Sequence, residues 1–148
     1  MSFIQLNYHI VFATKRREPT IDIDSERRVY LLLFSIMKKY GATVHRIDGM
    51  PDHIHICTAI PSTIAVSDFI KYVKRESSLA IKQHSILTNW RGWQEGSGCF
   101  SYSKNEVENI INYIKRQKEH HRKRTFIEEY RAWLIENGVS PDEPYFPK

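Results

Sequence analysis

Cysteine is scarce: Cys57 and Cys99 are the only two in 148 residues. They stand far apart and form no Cys-x-x-Cys pair, which argues against a disulfide framework and for a reducing compartment. No apolar run is long enough to span a bilayer. The opening Met1-Ser2-Phe3-Ile4-Gln5-Leu6-Asn7 has neither the basic start nor the apolar stretch of a secretory signal. A cytoplasmic location is therefore expected. Internal repeats, low-complexity tracts and linker-like segments are also missing, so residues 1–148 are expected to form a single domain.

What is present supports a packed core. Hydrophobic residues make up 41% of the chain and aromatics 12%, which excludes general disorder. The net charge of +5 suits a polyanionic partner, although mildly basic proteins are common.

The patterning predicts an α+β chain. Phe3 to Thr14 alternates and is rich in β-formers, so it reads as a strand ending in the basic loop Lys15-Arg16-Arg17. Asp24 to Tyr40 reads as a helix with Val29, Leu32, Leu33, Ile36 and Tyr40 on one stripe, closed by Gly41. Ala42 to Ile47 and His53 to Ile60 read as a hairpin around Asp48-Gly49-Met50-Pro51-Asp52. Ile64 to Gln83 is a second helix, with Val66, Phe69, Ile70, Val73 and Ala80 inward and Lys71, Lys74, Arg75 and Lys82 left on its other faces.

A loop with Trp90 and Trp93 leads to a short strand at Cys99 to Ser103. Ser103 and Glu106 have capping-box spacing for a helix running to about His120. Thr125 and Glu128 repeat that signature for a last helix ending near Gly138, followed by an extended, proline-containing tail. This order matches the split βαβ pattern of ferredoxin-like and RNA-recognition folds: an antiparallel sheet, helices on one face, and extra C-terminal helices. Fold alone does not assign chemistry.

Three features carry chemistry. In Asp52-His53-Ile54-His55-Ile56-Cys57, strand alternation projects His53 and His55 together, about 7 Å apart, while Ile54 and Ile56 turn to the core. Two imidazoles on one face can converge on a divalent ion; the bland alternative is a pair of hydrogen-bonded surface histidines. Cys57 shares the face, but a thiol, two imidazoles and no fourth ligand make a poor structural zinc site, so it reads as a small buried residue.

The second feature is the helix Asn105 to Gln117, with Val107, Ile110, Ile111 and Ile114 as its buried stripe. Tyr113 and Gln117, four apart, fall on one flank, near Glu106 and His120. A tyrosine there is ordinarily a boundary residue, Glu106 a cap and His120 part of a solvated run. Gln117 distinguishes the site, because its amide oxygen can serve as a third, hard ligand.

The third feature is charge: Lys115, Arg116, Lys118, Arg122, Lys123 and Arg124 cluster just after Tyr113. Such a run is usually a solvated helix face, yet beside a nucleophile it also makes a phosphate funnel. Lys15, Arg16, Arg17, Lys71, Lys74 and Arg75 are further candidates for DNA binding. Trp90, Trp93, Phe100 and Tyr102 offer either stacking surfaces for bases or core packing.

Four segments together carry a family resemblance. Tyr8-His9-Ile10-Val11-Phe12-Ala13-Thr14-Lys15, Pro51-Asp52-His53-Ile54-His55, Trp93-Gln94-Glu95-Gly96-Ser97-Gly98-Cys99-Phe100-Ser101 and Tyr113-Ile114-Lys115-Arg116-Gln117-Lys118-Glu119-His120-His121 stand in the order seen in single-tyrosine HUH transposases. The chain resembles that insertion-sequence-200-like family nearly end to end. The resemblance implies His53, His55 and Gln117 as ligands of Mg²⁺ or Mn²⁺ and Tyr113 as the nucleophile. It further implies single-stranded hairpin DNA as partner, and a homodimer.

Ser97 and Cys99 stand where an aromatic and an alanine are more familiar, which bears on fine substrate specificity more than on catalysis. An active enzyme is expected, joining strands through a 5′-phosphotyrosine. The competing reading is a non-catalytic single-stranded DNA or RNA binder on the same sheet. A two-histidine phosphoesterase is excluded, since no histidine has Ser or Thr two places on.

Overall fold

The alternating segment after residue 6 forms the centre of the sheet because it finds partners on both sides. A computed structural model describes residues 3–120 and 126–138 of the chain. Strand β1 (Asn7–Ala13) pairs antiparallel with β3 (His53–Ala59) on one side and β4 (Gly98–Tyr102) on the other. β2 (Thr43–Met50) pairs antiparallel with β3, giving the order β2-β3-β1-β4. This is the split βαβ sheet expected from the element order. β1 begins four residues later than the β-formers predict. Its partners stop at Ala59 and Tyr102, both opposite Asn7, so Phe3 and Ile4 have no strand to join and lie exposed.

One face of the sheet carries Ile10, Phe12, Ile54 and Ile56 into a core closed by α1 (Glu26–Lys39) and α2 (Val66–Gln83). Val29, Leu33, Ile36 and Met37 from α1 meet Phe69, Val73 and Ile81 from α2. The expected stripes hold except that Met37, Ser77 and Ile81 are buried where Leu32, Tyr40, Val66, Ile70 and Ala80 lie part-way out. Trp90 and Trp93 pack edge-to-face at 4.8 Å, and Trp93 also meets Phe12 at 4.7 Å, so both indoles brace the core. Their N–H groups bond Ser78 and Ser77 on α2.

The β2–β3 hairpin departs from its predicted form. Asp48, Gly49 and Met50 belong to β2, and only Pro51 and Asp52 turn. Composition favours a turn across all five, but Gly49 serves a close backbone approach instead. A Cβ built at Gly49 would lie 2.2 Å from the His53 carbonyl oxygen. Gly49→Ala is therefore expected to cost about 3 kcal/mol through backbone displacement at His53. A denaturant midpoint unchanged from wild type would contradict this.

α3 (Lys104–Lys115) opens with the expected capping box between Ser103 and Glu106. It lies across the other face of the sheet, touching β1, β2, β3 and β4. The single helix predicted to run to His120 is broken: Arg116 leaves helical geometry (φ −90°, ψ 7°), and α4 (Gln117–His120) follows. The Arg116 N–H bonds the Tyr113 carbonyl, an i to i−3 contact that tightens the last turn. α5 (Phe126–Glu136) ends before Gly138, at φ 76°. The Thr125 cap and the Ser140–Lys148 tail lie outside the described residues.

Candidate active site

Strand alternation places His53 and His55 on the α3 face of β3, as expected, with Ile54 and Ile56 in the opposite core. They are not surface groups: α3 covers them, and both are almost completely buried. Their ring centroids are 5.0 Å apart. Asp52 accepts a 2.7 Å hydrogen bond from His53 Nδ1. A carboxylate only accepts, so Nδ1 is the donor and Nε2 is the nitrogen turned away from Asp52.

A third histidine joins them. His9, on β1, is fully buried, and its Nε2 lies 2.9 Å from His55 Nδ1. Burial pushes the His9 pKa down to about 3, so the ring is neutral at physiological pH. Sequence reading placed His9 in a motif without giving it a role. The available signal was alternation, which sets Asn7, His9 and Val11 on one face of β1.

Tyr113 reaches this cluster from α3. Its ring meets His55 at 5.8 Å and His9 at 5.9 Å, both edge-to-face. Gln117 is fully buried at the start of α4, which packs on β2. The break at Arg116 means that Tyr113 and Gln117 do not share a flank of one continuous helix, yet both are drawn towards the sheet. Of the predicted buried stripe on α3, only Ile114 is fully enclosed. Glu106 remains an exposed cap, and nothing is described of the His120 side chain.

Lys118 fastens α4 to the body. Its ammonium contacts Glu26 at 2.8 Å and Asp48 at 3.1 Å, and it donates to the Gly49 carbonyl. Lys118→Met leaves the two carboxylates facing each other, at an expected cost of about 1 kcal/mol. Faster hydrogen exchange at amides 117–120, with the sheet unchanged, is the expected local sign. Equal exchange would mean that Ile114 and Gln117 hold α4 alone.

Cys57 lies on the histidine face but is buried, and burial pushes its thiol up to about 11, so it is protonated at neutral pH. Cys99, opposite Ile10, packs against the helical core, and burial likewise pushes it to about 11.

The cationic residues divide among separate places. Lys15, Lys71, Lys74 and Arg75 line an open cleft with Trp93 and Gln94. Lys74 bonds the Gln94 and Gly96 carbonyls and the Ser97 hydroxyl, and desolvation lowers its pKa to about 8. Arg16 and Arg17 occupy left-handed backbone (φ 56° and 53°) in the turn after β1. Lys115 lines a different cleft beside Asn7 and His45, and Arg116 is exposed. Arg122, Lys123 and Arg124 lie outside the described residues. Phe100 and Tyr102 sit on the α3 face of β4, opposite His9 and Asn7.

The family model described as "Transposase IS200 like" matches residues 2–117, from before β1 through Gln117. The chain belongs to that transposase family. The transposase is 31% identical over 117 residues to the transposase for insertion sequence element IS200 of Salmonella typhimurium, covering 76% of each chain. Two solved structures share its fold. A putative transposase from Deinococcus radiodurans aligns with TM-score 0.62 at 23% identity, over 78% of this chain and 93% of that one. A REP-associated tyrosine transposase bound to a REP hairpin aligns with TM-score 0.61 at 13% identity, over 82% and 72%. No helix among the transposase's described residues is long and apolar enough to cross a membrane.

Proposed function

We propose that this transposase cuts and rejoins single-stranded DNA by metal-assisted transesterification, with Tyr113 as the nucleophile. The observation that carries the reading is the contact of half-buried Tyr113 with His55, whose ring in turn meets His53.

In the step we infer, the Tyr113 oxygen displaces the 3′ oxygen from a DNA phosphorus. A 5′-phosphotyrosine forms, the strand is released with a free 3′-OH, and the phenolic proton is balanced by the one that hydroxyl takes up. One phosphoester replaces another, so the exchange is reversible and needs no nucleotide cofactor. A 3′-OH from another strand then attacks the phosphotyrosine and restores Tyr113. Lys115 and Arg116, at the end of the same helix, add positive potential where the phosphate must approach.

The donor chemistry fits a divalent ion. Among the described residues no three His, Cys, Asp or Glu side chains form a group that could hold a metal ion, and the third donor we infer beside the two histidines is Gln117. The carboxamide of buried Gln117 has the hard oxygen that Mg²⁺ or Mn²⁺ accepts, and the His53 Nε2 lone pair is held ready by Asp52. When bound by His53, His55 and Gln117, such an ion would polarise the scissile phosphate and stabilise the departing 3′ oxygen.

For the substrate we infer a single strand with a hairpin, consistent with the hairpin held by the fold neighbour. We also infer a homodimer, for which the outer strands β2 and β4 offer edges. The test is incubation of labelled hairpin DNA, single- or double-stranded at its flank, with and without Mn²⁺. Metal-dependent nicking of the single-stranded flank is expected. Salt-sensitive binding without nicking, on DNA carrying proven element ends, would instead favour a binding module.

A further inference from the structure

Each of the two imidazoles assigned to the ion has its own partner behind it. Asp52 stands behind His53, and the partner behind His55 is another histidine. We propose that His9 is a positioning residue that holds His55 in the tautomer and orientation a metal ligand requires, a proposal that rests on reading His55 as a ligand.

The geometry follows from the strand register. Val11 of β1 stands opposite His55, and His9 stands opposite Cys57, so His9 is the diagonal neighbour of His55 on the same face. That diagonal brings His9 Nε2 to 2.9 Å from His55 Nδ1, with the rings 5.1 Å apart and tilted by 37°. Between two neutral imidazoles a single N–H lies on that line. If His55 Nδ1 donates, His55 Nε2 keeps a lone pair for an ion. If His9 donates, His55 Nε2 carries the proton and cannot ligate. Ligand function therefore demands that His9 accept through Nε2 and carry its own proton on Nδ1.

An apolar residue would fill the same sheet position without the cost of burying a polar ring. In the proposed role His9 is an acceptor fixed in place by β1, as Asp52 is by the hairpin turn. The Tyr113 ring, edge-on to both His9 and His55, restricts both rings further.

The first test uses the unaltered protein without metal: the protonated ring nitrogen of His55, read by nitrogen-15 NMR. Protonation at Nδ1 is expected, and protonation at Nε2 would overturn the proposal. The second is Mn²⁺ binding, followed by electron paramagnetic resonance. His9→Phe keeps a ring but removes the acceptor, and is expected to weaken Mn²⁺ binding by about 10- to 100-fold. His9→Gln, whose amide oxygen can accept near the Nε2 position, is expected to recover most of that loss. Wild-type affinity in His9→Phe, or equal weakness in both variants, would overturn the role of His9 while leaving the metal site intact. Absence of Mn²⁺ binding in the wild type would overturn the metal reading itself, and His9 positioning with it. Should His9→Phe fail to fold, the tautomer measurement decides alone.

Discussion

Tyr113→Phe is expected to abolish the covalent protein–DNA adduct while leaving DNA binding unchanged. The substitution removes one oxygen and keeps the ring that packs edge-on against His9 and His55, so the pocket keeps its shape. No other group takes the phosphoryl, because the oxygen that would carry it is gone. Denaturing gels with labelled hairpin DNA read the adduct, and a filter-binding titration reads the affinity. Loss of adduct with unchanged affinity supports the assignment. A surviving adduct would place the nucleophile on another of the eight tyrosines.

The second large effect is expected at the histidine pair. His53→Ala and His55→Ala each remove a proposed donor, and cleavage should fall by about a thousandfold, corresponding to about 4 kcal/mol of lost charge stabilisation in the transition state. Chelation of the wild type should do the same, with recovery on adding Mn²⁺. Both rings are buried, so each deletion also opens a cavity and costs stability. Folded fraction must therefore be measured in the same samples. Activity that tracks the folded fraction alone, and is indifferent to chelation, would reduce the histidines to core packing.

The parts legible in the sequence were those written in local periodicity. Alternation across His53, Ile54, His55 and Ile56 set their faces correctly, because a one-residue slip would turn the apolar set out of the core. The α1 and α2 stripes and the Ser103–Glu106 capping box were likewise local signals. The errors arose where contacts distant in sequence overrule local preference. Nothing in Asn112-Tyr113-Ile114-Lys115-Arg116-Gln117 breaks a helix by composition; the break accompanies Lys118 bonding Asp48, 70 residues earlier.

Gly49 shows the same limit in a strand. Asp-Gly beside Pro-Asp reads as turn chemistry, whereas the glycine is needed against the His53 carbonyl. His9 went unassigned because one histidine in an apolar strand is indistinguishable from a core residue until its partner, 46 positions away, is placed. The cationic residues show a further gap. Sequence cannot separate a lysine free to meet phosphate from Lys74, whose donors hold the loop at residues 94–97.

The central claim is that Tyr113 becomes joined to a DNA 5′ phosphate. The most direct test incubates the full chain with Mn²⁺ and a single-stranded hairpin labelled at either the 5′ or the 3′ end, followed by mass spectrometry of the digested adduct. The account predicts that only the 3′-labelled fragment remains on protein, attached to the peptide containing Tyr113, while the 5′-labelled fragment leaves with a free 3′-OH. Retention of the 5′-labelled fragment, or attachment to any other residue, would contradict it.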